Sequence, residues 1–269
     1  MLRTVKELEK YTIGATDGVI GHIKDFYFDD DAWVVRYVVV ATGGWLAGRE
    51  VLVSPYALGQ ADSGALSLPA SISRAQVENS PSIETQKPVS RQHEIAYLSY
   101  YGYPYYWGGS GIWGGGAYPG AMLAGVEFGG SDAAYAKAQT VHDRDMLSAR
   151  SKEDPHLRSC HAVKGYHIHA TDGEIGHVQG YLVDEHTWAI QYLIVDTSNW
   201  WLGHQVLVAP EWISEISWLR SMVTTVLTRQ EIKSAPAYDP AVPLDRVTET
   251  GTYRHYGRRA YWQHPRAAA

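Results

Sequence analysis

Shifted by 155 residues, this chain meets itself. Tyr11-Thr-Ile-Gly-Ala-Thr-Asp-Gly-Val-Ile-Gly-His22 lies over Tyr166-His-Ile-His-Ala-Thr-Asp-Gly-Glu-Ile-Gly-His177. The same shift sets Trp33 on Trp188, Tyr37 on Tyr192, Trp45 on Trp200, Val51-Leu-Val53 on Val206-Leu-Val208 and Pro55 on Pro210. From Leu2 to Pro55, 22 of 54 positions are identical without a gap, which is far more than coincidence provides. The match is still visible at Arg74 and Arg229 and at Pro81 and Pro236. The chain is therefore read as a duplicated unit of about 80 residues. Two copies 155 residues apart are not a solenoid, which needs at least three stacked repeats. For 269 residues, two domains is also what length alone favours.

Each copy reads as β structure. Asp17-Gly18 and Asp172-Gly173 stand between apolar runs, where an Asp-Gly pair favours a two-residue type I′ hairpin. Gly21 and Gly176 fall inside the following strand, the position of a bulge or a tight bend. These six residues form a structural turn in this reading. Asp29-Asp30-Asp31 and Asp184-Glu185-His186 make the next turn. Trp33 to Val40 and Trp188 to Val195 are rich in β-branched and aromatic residues, with Arg36 and Gln191 the polar exceptions. Such a strand is expected to be buried on both faces. Ser73-Arg-Ala-Gln76 and Thr228-Arg-Gln-Glu231 fit capping boxes that open short helices. Short strands, regular turns and short helices predict an all-β fold of two small barrels, closure being one way to remove exposed edges.

These residues resemble the PRC-barrel domain, a family named for the cytoplasmic domain of the photosynthetic reaction-centre H subunit. It also occurs in a ribosome-maturation factor and in stand-alone bacterial proteins. The D-G-x-I-G-x-[IV] hairpin (Asp17 to Ile23, Asp172 to Val178), the long apolar strand with its Tyr and the V-L-V-x-P strand carry the resemblance. It spans about residues 2–81 and 157–236. It implies a bacterial protein of two PRC barrels used for protein contacts, with no shared catalytic residues. The corresponding division is repeat 1 at 1–82, a Gly/Tyr-rich low-complexity linker at 83–155, repeat 2 at 156–239 and a C-terminal tail at 240–269.

Composition limits the function. With net charge −6, the chain lacks the basic surplus of a protein that neutralises nucleic-acid phosphates, so no nucleic-acid partner is expected. Its 19 Tyr and 10 Trp against 3 Phe are odd, and 7 Tyr and 2 Trp lie among 11 Gly at 95–130. Residues 95–126 carry no Asp, Glu, Lys or Arg. Their Gly, Pro104 and Pro119 nevertheless disfavour a spanning helix, so no membrane span is expected. The N-terminus has charges from residue 3 on and no apolar h-region, which reads as no secretory signal. A single Cys160 excludes an intramolecular disulfide and fits a cytoplasmic setting.

No nucleophile elbow, Walker A or dinucleotide fingerprint is present, so the expectation is no enzyme and no cofactor. Candidate interaction residues are Trp45, Trp200 and Trp201 in the Gly/Trp loops, and Trp107 and Trp113 in the aromatic segment, Trp being enriched at binding hot spots. His167 and His169 would share one strand face and are the weak candidates for a metal. The leading expectation is a protein-interaction or adaptor protein that binds a protein partner or itself. Two alternatives are a metal-linked or small-molecule enzyme built on the His-rich second copy, and an accessory protein touching a photosynthetic or membrane complex peripherally.

Overall fold

The computed structural model describes residues 1–81, 89–107, 111–120, 157–197 and 204–263. The first half contains β1 (Leu2–Thr4), α1 (Val5–Leu8), β2 (Thr12–Ala15), β3 (Gly18–Asp29), β4 (Val34–Ala41), β5 (Glu50–Val53), β6 (Ser67–Pro69), α2 (Arg74–Glu78) and α3 (Arg91–Tyr101). The second half contains β7 (Leu157–Ser159), α4 (Cys160–Val163), β8 (His167–Ala170), β9 (Gly173–Asp184), β10 (Ile190–Asp196), β11 (Gln205–Val208), β12 (Ile213–Ser217), β13 (Met222–Thr225), α5 (Arg229–Lys233) and α6 (Arg246–His255).

The strands form two mixed sheets of matching order, β5-β4-β3-β2-β6 and β11-β10-β9-β8-β13-β12. In each, the hairpin strand pairs parallel with a late strand, β2 with β6 and β8 with β13. The expected closed barrels are not seen. Among the described residues, each sheet runs as a path whose end strands do not pair with each other. Instead the halves share strands. β1 pairs antiparallel with β9 of the second half, and β7 pairs antiparallel with β3 of the first.

Residue type explains the core. Every residue of β4 except Ala41 is buried, Arg36 included. The equivalent β10 is buried from Ile190 to Val195. Gly21 permits the close crossing of β3 and β4: a Cβ there would lie 2.0 Å from the Ala41 carbonyl oxygen. Gly176 does the same against Asp196, also at 2.0 Å. A register shift lies beside each, between Ile13 and Gly14 and between Ile168 and His169.

The hairpin differs from expectation. The type I′ turn would need positive φ at both Asp17 and Gly18, and only Gly18 has it, at +147°. The loop is Thr16-Asp17, because Ala15 already pairs with Gly18. Asp17 is engaged elsewhere: its Oδ1 accepts the Arg74 amide at 2.7 Å, at the start of α2. Asp172 accepts the Arg229 amide at the same distance. Both capping boxes form, Ser73 with Gln76 and Thr228 with Glu231.

The largest departure concerns the segments read as linker and tail. Residues 91–101 are a helix that packs on the first sheet, with Tyr97, Leu98 and Tyr101 buried. Tyr103, Tyr106, Ile112 and Trp113 continue that cover. In the second half, α6 takes the same place with Tyr253 and Tyr256 buried. These aromatic side chains are core, tilted or stacked on one another in chains such as Tyr97–Tyr101–Tyr103–Tyr56. A burial of this size holds a helix that its weak amphipathic pattern does not announce.

Candidate functional site

Two buried carboxylates stand out, and the 155-residue shift sets one on the other. Glu94 on α3 and Glu249 on α6 are 155 residues apart and only 2% and 3% exposed. Glu94 Oε2 pairs with Arg91 Nη1 at 2.9 Å. Its Oε1 accepts the hydroxyls of Tyr106 and, at 3.4 Å, of Tyr37 on β4. Glu249 Oε2 pairs with Arg246 Nη1 at 3.1 Å. Its Oε1 accepts Tyr192 of β10 at 3.0 Å and Tyr261 at 3.1 Å. Each Arg also lies over a Trp ring, Arg91 over Trp107 at 4.2 Å and Arg246 over Trp262 at 4.1 Å.

The repeat therefore runs further than residue 81. The same shift carries Arg91 and Glu94 to Arg246 and Glu249, Tyr101-Gly102 to Tyr256-Gly257, and Tyr106-Trp107 to Tyr261-Trp262. That alignment is the readable signal. The glycine-rich composition around it hides the spacing.

Electrostatics match a clamp. Burial pushes the Glu94 carboxyl up to about 7, with Arg91 and the Tyr106 hydrogen bond pulling it back. Burial likewise raises Glu249 above the usual carboxylate range. Tyr37 and Tyr106 are pushed well above the ordinary phenol value, also by burial. These phenols stay protonated and donate, which suits holding a carboxylate more than exchanging protons with a substrate. Burial raises the Cys160 thiol far above its ordinary value, opposite to the requirement for a nucleophilic thiolate.

The candidate residues read from the sequence fall in different environments. Trp113 is fully buried and its Nε1 donates to the Thr187 carbonyl at 2.7 Å, so it joins the two halves and is not an exposed contact. No strand or helix pattern surrounds it in the sequence, so nothing local marks it as core. Trp107 is half-buried beneath Arg91. Trp45 is half-buried: its Nε1 donates to the Ile20 carbonyl at 2.6 Å and Arg74 covers its ring at 4.2 Å. Trp200 and Trp201 lie outside the described residues. Asp17, Gly18, Gly21, Asp172, Gly173 and Gly176 all sit at the hairpins.

His167 and His169 do share the exposed face of β8. His167 Nδ1 lies 2.8 Å from Glu174 Oε1. Among the described residues, no three His, Cys, Asp or Glu side chains gather as a metal site. Likewise, no described helix is long and apolar enough to cross a membrane.

Residues 5–65 match the PRC-barrel domain. That region runs from α1 to just before β6 and holds the first hairpin, the buried strand and β5. No curated protein matches the chain significantly.

Proposed function

We propose that this chain is a non-catalytic protein-interaction module built from two PRC-type units, the second being a diverged copy of the first. One observation carries this reading. The residues that the two halves share are engaged in holding each half together: Asp17 and Asp172 cap helices, Gly21 and Gly176 admit a crossing strand, and Glu94 and Glu249 clamp a covering helix. A duplicated catalytic site would keep its chemistry facing a cleft, whereas these groups are sealed or structural. The matched element order of the halves supports reading the second as another unit of the same type.

The test is affinity capture of the tagged chain at native expression level, with its solution mass measured in parallel. A stoichiometric protein partner that purified untagged chain competes away is the expected result. A monomer that recovers no stable partner overturns the reading. Metal analysis of protein purified without a His tag is the counter-test. A stoichiometric bound metal would move the function to the His167 and His169 face.

A further inference from the structure

The halves meet about a pseudo-two-fold axis. Val34 bridges Ala189, its own counterpart in the repeat. On either side, the Val35 amide donates to the Trp188 carbonyl and the Ile190 amide to the Trp33 carbonyl, both at 2.8 Å. Trp33 and Trp188 both hold left-handed backbone, at φ +55° and +59°, a conformation that bulky residues rarely adopt. The strained turn thus recurs at the axis.

Further out, each half offers an arm to the other. Leu2-Arg3-Thr4 lies on Leu182 to Asp184, and Leu157-Arg158-Ser159 lies on Tyr27 to Asp29. Arg3 is buried and its Nε pairs with Glu185 at 2.7 Å. Arg158 is buried and its Nε pairs with Asp30, also at 2.7 Å. Asp30 and Glu185 are themselves repeat equivalents. Each arginine is braced by an equivalent loop residue of its own half, Arg3 by Ser63 at 2.8 Å and Arg158 by the Trp218 ring at 4.3 Å. Residue i meets j′ and residue j meets i′, which is the pattern of an isologous dimer interface. Among the described residues, further contacts between the halves do not follow the symmetry. Asp25 binds the Ser159 hydroxyl and accepts the His161 amide, and Gly180 stands at its equivalent position. Trp113 reaches Thr187, and the Tyr118 ring packs on His186.

We propose that this surface is a docking interface in its own right: the first half recognises the second half of its own chain through the exchanged arms and without needing a covalent connection. The paired arms set the geometry. The Tyr118 contact sets the preference for a second half over another first half, where Asp31 stands in place of the His186 ring. Within one chain the connection supplies a high effective concentration, so the intrachain closure dominates in dilute solution. This deepens the interaction reading by naming the partner chemistry, and its test stands apart from any search for a foreign partner.

The experiment starts from the full folded chain with a specific protease sequence inserted between Ala138 and Gln139. After the cut, checked on a denaturing gel, the two fragments are expected to elute together at the intact mass at micromolar concentration. In a mixture of cut protein tagged on the first half and cut protein without a tag, the tag is expected to recover untagged second half and little untagged first half. Fragments that separate on cutting overturn the proposal. Recovery of the two untagged halves in equal amount would overturn the assigned preference. Arg3→Glu with Arg158→Glu is expected to weaken the cut complex at least tenfold. Adding Asp30→Arg and Glu185→Arg is expected to restore it, and failure to restore removes the arms as the determinant. If these variants do not fold, the salt dependence of the unsubstituted cut complex decides. Weakening at high salt is expected, and indifference to salt overturns the role of the ion pairs.

Discussion

At the scale of single residues, the chemistry that the two halves share is that of close approach. Gly21 and Gly176 stand where another strand's carbonyl oxygen leaves no room for a side chain. At Gly14, one strand away, an added Cβ would meet only the Ser67 hydroxyl, at 3.9 Å. Gly21→Ala and Gly176→Ala are therefore expected to destabilise by about 1–3 kcal/mol or more, as overpacking of a fixed backbone does. Gly14→Ala is expected to stay within about 0.5 kcal/mol. Denaturant midpoints at constant slope check this, and equal effects at the three positions would refute it. Asp17 illustrates the same economy: it is legible as a turn residue, but its carboxylate serves the amide of Arg74 and so joins the hairpin to α2.

At the scale of elements, α3 and α6 are attached by a carboxylate in a ring of phenols and an arginine. The groups facing Glu94 are Arg91 on its own helix, Tyr106 from the following segment, and Tyr37, Arg36 and Asp29 from the sheet side. Burial raises Glu94 from 4.5 to about 7, so between those values the folded state holds more protons than the unfolded chain. Its contribution to stability is then fully present below about pH 4.5 and is lost as pH rises through 7. The slope is at most about 1.4 kcal/mol per pH unit. The opening free energy of the α3 amides, from hydrogen exchange corrected for its intrinsic pH dependence, is expected to fall across this window, and Glu94→Gln is expected to flatten the profile. An unchanged profile in Glu94→Gln would place the titration elsewhere.

At the scale of the whole molecule, the halves are interlocked. The first strand of the chain completes the sheet of the second half, and the strand that opens the second half completes the sheet of the first. Removing residues 1–4 is therefore expected to loosen the distant amides of Leu182 to Asp184 while sparing the β3–β4 pairing. Hydrogen exchange by residue reads this directly. Loosening confined to the first half would contradict the exchanged arrangement. Sharing strands also joins the two cores, and one cooperative unfolding transition for both halves follows from it.

Much of this is open to inspection in the sequence, and the reason is local. The duplication, the buried Trp33–Val40 strand, the capping boxes and the need for Gly21 depend on neighbours within a few residues or on a regular spacing. The covering helices are not legible as such. Their buried rings are tyrosines, whose hydroxyls need specific distant partners, and glycine around them weakens any helical pattern. Trp113 illustrates the point: its place in the core depends on a carbonyl 74 residues away. From the residues alone follow two related β units and where their turns, caps and close crossings lie, because those obey short-range sterics and hydrogen-bond geometry. Which unit receives each arm, and what covers each sheet, came from the folded chain. Edge pairing and burial are non-local, and either half offers β1 and β7 an edge of the same chemistry.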